Sequence, residues 1–159
     1  MKYMDIYVTK AMDAYPYQLA ETVEALNYAL SADETNIYAL CLMGRVYAEQ
    51  LFNYKEAIRC YEEALGHDLD AIIIYPYLIR ALIMNEDYDK ARKLIEFAQS
   101  IKGIDRVDLM LNKIIIEEWT GHYTKALKML KEMRKEVCNN RHNDWMDETE
   151  KRLKSKKGM

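Results

Sequence analysis

Three stretches of this chain are near copies of one phrase. Asn53-Tyr54-Lys55-Glu56-Ala57-Ile58, Asp87-Tyr88-Asp89-Lys90-Ala91-Arg92 and His122-Tyr123-Thr124-Lys125-Ala126-Leu127 each carry a tyrosine with an alanine three residues later, and the alanines fall 34 and then 35 residues apart. A self-similar period of that length marks a stacked array, because one unit is too small to bury its apolar face except against its neighbours. Composition decides what the units are made of. Only 5 Gly and 2 Pro occur in 159 residues, while Ala, Leu, Glu and Lys are plentiful, which favours helix over strand throughout. The reading is all-α. At 50% hydrophobic and 31% charged, the chain has apolar surface for one continuous core and charge to keep it dissolved.

The clearest unit runs from about residue 36 to 66. Leu40, Met43, Gly44 and Tyr47 share one helical face, and Ala57, Tyr61, Ala64 and Leu65 share another, so two short helices joined near Leu51-Phe52-Asn53 fit the spacing. Gly44, Ala57 and Ala64 let the two backbones approach closely, and Tyr47 and Tyr61 fill the space around them. In this order of residues the chain resembles the tetratricopeptide repeat family, whose unit carries an aromatic, Leu-Gly and Tyr on its first helix and Ala, an aromatic and Ala on its second. The next unit keeps the pattern with Tyr75, Leu78, Ile79 and Leu82, then Tyr88, Ala91, Ile95 and Ala98, and places Ile79 at the glycine site. The last supplies Trp119, Gly121, Tyr123, Ala126, Leu130 and Met133, with either Lys113 or Ile114 at the glycine site according to the length assumed for its turn. Upstream, Ala29-Leu30 precedes Ala64-Leu65 by 35 residues, which makes a degenerate first unit with Thr22 or Val23 as its packing residue. The family's closing proline is missing from every unit, and Leu69 stands in its place after the best one.

The resemblance implies a right-handed helical-hairpin solenoid. Its units span approximately 4–35, 36–71, 72–105 and 106–140 within a solenoid of residues 1–143, and residues 144–159 form a capping helix and basic tail. On that tail, acidic Asp144, Asp147 and Glu148 precede basic Lys151, Arg152 and Lys154, an order that complements a helix dipole.

In this family the first helices line a concave groove that holds peptides or helices of partner proteins. Carried over, that geometry predicts a lining of Tyr7, Val8 and Ala11; Tyr38, Cys41, Leu42, Arg45 and Glu49; Ile73, Tyr77, Arg80, Ile83 and Met84; and Leu111 and Glu118. Arg45 and Arg80 occupy equivalent places and could clamp a carboxylate or phosphate; alternatively Arg45 pairs with Glu49 one turn on, while Tyr77 offers Arg80 a ring. Relatives that grip acidic chaperone tails use Lys, Asn and Arg in this groove. Cys41, Arg45, Ile73 and Tyr77 stand at those sites here, so an amphipathic helix or apolar peptide is the better expectation.

Catalytic signatures are missing from the sequence. There is no Gly-rich phosphate loop, H-E-x-x-H or G-x-S-x-G, and His67, His122 and His142 sit in expected turns without a paired nucleophile. The expectation is a non-enzymatic protein-interaction adaptor or scaffold that takes no cofactor or metal. Cys41, Cys60 and Cys138 are widely spaced and read as reduced structural thiols. With no signal-peptide pattern and no run of about 18 apolar residues, the expected location is cytoplasmic, without a membrane span. The formal charge of −3 argues against a wholly basic nucleic-acid binder. The basic run Lys151, Arg152, Lys154, Lys156, Lys157 leaves contact with RNA or another acidic partner open. Self-association through an apolar end face around Tyr3, Ile6 and Tyr7 is the competing structural role.

Overall fold

A computed structural model describes residues 5–158; of the end-face residues named above, Tyr3 lies outside them. Among the described residues the chain is helical, without strands, and it divides into two compact units, residues 1–87 and 88–159. The division falls between Asp87 and Tyr88, inside the third sequence repeat. A period and a cluster of contacts are different partitions of the same chain.

The first unit contains α1 (Ile6–Ala14), α2 (Leu19–Ala32), α3 (Ile37–Arg45), which continues into a π turn (Val46–Gln50), α4 (Tyr54–His67) and α5 (Ile74–Met84). Successive helices pack as hairpins, α1 on α2 and α3 on α4, with α2 on α3 and α4 on α5 linking them. The starts are written in short polar side chains. Asp5 accepts from the Val8 amide at 2.8 Å, Asn36 from Tyr38 and Ala39 at 3.1 Å each, and Asn53 from Glu56 at 3.3 Å, satisfying amide groups a helix leaves unpaired at its N-terminus. The hairpins are joined by a repeated device: Asp33 and Asp68 turn the chain by accepting from the amides of Thr35 and Asp70, two residues on.

Packing follows the small residues. Ala57, Ala64, Ala91, Ala98 and Ala126 are all fully buried, as the period requires. A β-carbon built on Gly44 would lie 2.4 Å from the Tyr61 ring, and that ring is itself 1% exposed, so only glycine lets α3 and α4 approach this closely. In the first unit's degenerate hairpin it is Thr22, not Val23, that is fully buried, and its hydroxyl donates to the Gln18 carbonyl at 2.9 Å.

Gly44 and Ala57 are separated by one residue more than Ile79 and Ala91, and the π turn absorbs it. The Leu51 amide reaches back five residues to Val46 O at 3.2 Å and the Asn53 amide six to Tyr47 O at 2.8 Å. In the later turns Asp87 N to Leu82 O and His122 N to Glu117 O each span five. All three turns close with a residue at positive φ two places before the tyrosine: Phe52 at 52°, Glu86 at 62° and Gly121 at 84°.

The second unit contains α6 (Tyr88–Ala98), α7 (Arg106–Trp119), α8 (Tyr123–Glu136) and α9 (Asn143–Lys157). Ile114 is fully buried in a core with Leu111, Ala126, Leu130, Met133, Met146 and Leu153, whereas Lys113 is half-buried, so the shorter register holds in the last repeat. α9 packs on α8, burying Met146, Thr149 and Leu153. It stays helical to Lys157, where Gly158 at φ 85° ends it.

Candidate partner-binding groove

Side chains from α1, α3 and the start of α5 meet on one surface of the first unit. Met12, Tyr38, Cys41, Leu42, Arg45, Ile73 and Tyr77 surround a hollow of about 30 Å³, room for about one water. Such a space is far below the size of a small-molecule pocket.

Arg45 is the centre of this wall. Its guanidinium lies 5.1 Å from the Tyr15 ring centroid and 4.9 Å from that of Tyr77, a cation held between two aromatic rings. Its Nε and Nη2 donate to Glu49 at 2.9 and 3.3 Å, and the Tyr15 hydroxyl donates to the same carboxylate at 2.9 Å. Burial works against the charge of Arg45, but the hydrogen bond to Glu49 and the nearby Tyr77 and Tyr15 hydroxyls outweigh it and raise its pKa further. The π turn places Glu49 within this contact. Tyr77 also stacks on Tyr61, centroids 6.1 Å apart and planes at 22°. The Cys41 thiol, buried beside them, has its pKa pushed up to about 12 by that burial, which leaves it an inert packing group.

No family model and no curated protein sequence matches the chain. Solved structures do: the crystal structure of MamA superposes with a TM-score of 0.75 at 18% identity, over 99% of this chain and 87% of that one. A tetratricopeptide repeat protein from Parabacteroides merdae superposes with a TM-score of 0.81 at 19% identity, over 96% of this chain and 58% of that one. The fold is a tetratricopeptide-repeat solenoid. At these identities the likeness is one of fold.

Within this tetratricopeptide fold the predicted groove residues separate into groups. Tyr38, Leu42, Arg45, Ile73 and Tyr77 meet around one hollow, although Leu42 is 2% exposed and belongs to the core with Val8, Ala11 and Leu26. Arg80 and Met84 are exposed farther along α5, and the ring of Tyr77 is engaged by Arg45 and Tyr61. Tyr7 is carried elsewhere. α1 buries Val8 and Ala11 and brings Met12 to the hollow and Tyr15 to Arg45, whereas Tyr7 stacks on Tyr28 at 5.4 Å, away from that hollow. Sequence reasoning missed Met12 and Tyr15; their phase relative to Val8 was the available signal.

Leu111 and Glu118, predicted for the groove, are covered in the second unit by α9. Leu111 packs with Met146 and Leu153. The Glu118 side chain, 2% exposed, accepts from Arg152 Nε at 2.6 Å, Arg152 Nη2 at 3.0 Å and Lys156 Nζ at 3.0 Å. Burial alone would raise its pKa, but Arg152 and Lys156 hold the carboxyl below its ordinary range. Two of the five tail cations are therefore structural. Lys154 approaches Glu150 at 3.9 Å, while Lys151 and Lys157 are exposed. The neighbouring Glu117, also buried, is bridged by Arg92 at 3.2 Å, His122 at 3.1 Å and Lys125 at 3.7 Å.

Thr120, His122 and Glu117 resemble a hydroxyl–imidazole–carboxylate set only superficially. Both partners meet the same nitrogen, Nδ1, at 2.8 and 3.1 Å, and the Thr120 hydroxyl donates to the Ile116 carbonyl at 2.7 Å. A proton relay needs the two ring nitrogens separately. Among the described residues no group of three His, Cys, Asp or Glu side chains is arranged to hold a metal ion, and no helix is long and apolar enough to cross a membrane.

Proposed function

We propose that this protein is an interaction adaptor that holds an apolar peptide or one face of an amphipathic helix against α3 and α5 of its first unit. The reading rests on the neutralised arginine. Glu49 already satisfies Arg45, so the wall offers aromatic and aliphatic surface rather than an open cationic clamp, and an acidic tail would find no free charge at this point. Tyr38 and Ile73 border the hollow and remain accessible, Ile73 at 41%. They supply the side-chain pockets that a helix-in-groove ligand uses. Arg80 and Met84 extend the same helix and are assigned to the rim. The work is binding and not catalysis, and it is set in the cytoplasm, where the buried thiols of Cys41 and Cys60 would stay reduced.

The test is affinity capture from native lysate with the wild type and a Tyr38→Asp/Ile73→Asp variant whose circular dichroism is unchanged. A protein retained by the first and lost by the second, and displaced by an isolated helical peptide from its own sequence, supports the groove. Equal retention by both chains overturns it.

A further inference from the structure

The hairpin α1–α2 has two broad faces. One packs on α3; the other carries a hollow lined by α1 and α2. The hollow, about 330 Å³, is bounded by Tyr7, Lys10, Ala14, Glu21, Glu24 and Tyr28 with Ala25 beneath. Tyr7 is 39% and Tyr28 56% exposed, and their stacked rings form an aromatic ridge on this face.

Charge on the face is of both signs and unspent. Among the described residues Lys10, Glu21 and Glu24 make no ion pair. The Tyr7–Tyr28 stack sets their heights: Lys10 lies three residues along α1 from Tyr7, and Glu24 four residues back along antiparallel α2 from Tyr28. At about 1.5 Å per residue the two charges stand at nearly the same level. A two-fold axis lying in the plane of this face and parallel to the helices keeps every height and exchanges α1 with α2. It therefore brings Lys10 of one copy opposite Glu24 of the other on both sides of the axis, and Tyr7 opposite Tyr28. The pattern is self-complementary, which is what an isologous interface requires.

Head-to-tail stacking has no equivalent support. The outward residues of α9, Asp144, Asp147, Glu148, Lys151 and Lys154, are charged and exposed, so the last helix offers no apolar surface to receive this face. We propose that the α1–α2 face is the interface of a two-fold symmetric homodimer, with the tyrosine ridges packed together and Lys10 of each copy paired with Glu24 of the other. The dimer is independent of what the groove holds.

Sedimentation velocity across a dilution series tests it. The wild type should reach twice the chain mass of 18.8 kDa in a concentration-dependent manner, and added salt should weaken it. Lys10→Glu alone, and Glu21→Lys/Glu24→Lys alone, should each weaken association at least about tenfold, because like charges then oppose each other across the interface. An equimolar mixture of the two variants should recover the dimer as a heterodimer. All three positions are exposed, and circular dichroism checks that each variant is folded. A wild type that stays monomeric, single variants that dimerise as well as wild type, or a mixture that fails to associate would each overturn the proposal.

Discussion

The two compact units solve the same problem with different chemistry. The first is held by apolar and aromatic contact: Tyr61 and Tyr75 are almost completely buried, Gly44 admits the Tyr61 ring, and the Arg45–Glu49 pair lies at the surface with both side chains about one-third exposed. The second buries two consecutive carboxylates, Glu117 at 6% and Glu118 at 2% side-chain exposure, and satisfies them with Arg92, Lys125, Arg152 and Lys156. Aromatic packing is indifferent to pH, whereas a buried carboxylate held by cations stabilises the fold through those pairs only while it is ionised. One fold period thus produces a unit whose integrity is set by shape and another whose integrity is set by charge.

The sharpest way to break this contrast is to strand Glu118. Arg152→Met/Lys156→Met should cost the second unit about 3 kcal/mol, the lower end for an uncompensated buried charge because both cations are partly exposed. Adding Glu118→Met should return most of that loss. Site-resolved hydrogen exchange reads it, and amides of α1–α4 should be unaffected; equal loss in both units would erase the distinction. Gly44→Ala is the counterpart in the first unit. Its new methyl group meets a buried ring, so about 1–3 kcal/mol should be lost from α3 and α4 and little from α7–α9, measured by urea unfolding of the variant alongside exchange.

Acid should separate the units without mutation. The carboxyl of Glu118 is held below its ordinary value of 4.5, so its folded pKa is lower than its unfolded one. The stabilisation is present in full above the unfolded value and is lost as pH falls through the folded value. Exchange protection of α9 should therefore fall in that window before that of α3 and α4, and the Glu118→Met triple variant should lose the pH dependence. A simultaneous loss across both units would show that other groups dominate.

The smallest effects lie in the three equivalent turns. Gly121→Ala in the second unit should cost about 1 kcal/mol, since φ of 84° penalises a β-carbon. Glu86→Gly in the first should be neutral to stabilising by about 0.5 kcal/mol, where relief of strain exceeds the added chain entropy. Thermal denaturation of each variant resolves the sign, and opposite signs are the expected result.

Much of the architecture was readable before any coordinate. The alanine period placed the second helices, and Gly44 opposite Tyr61 was a contact of residues 17 apart in one hairpin. Tyr38, Ile73 and Tyr77, placed together by the family's geometry and their spacing, do surround one hollow, but α1 was set in a different rotation relative to its neighbours, because a degenerate repeat gives the second helix a clear register and the first helix almost none. Hence Met12 and Tyr15 were overlooked and Tyr7 was assigned to a face it does not occupy. In the last repeat the sequence left Lys113 and Ile114 equivalent; burial of Ile114 decided between them.

By itself the sequence determined helix, period and the small residues at each close approach, since these depend on neighbours within about one repeat. Tertiary structure decided which carboxylates are buried and which arginine is spent. Glu118 reads as groove lining, yet it and Glu117 are buried against cations that include partners 25, 34 and 38 residues away. For Arg45 the sequence left an open clamp and a pair with Glu49 both standing; the pair forms, and Tyr15, 30 residues upstream, completes it. Helical periodicity is a local property of the chain; the satisfaction of a charge depends on whatever folding brings beside it.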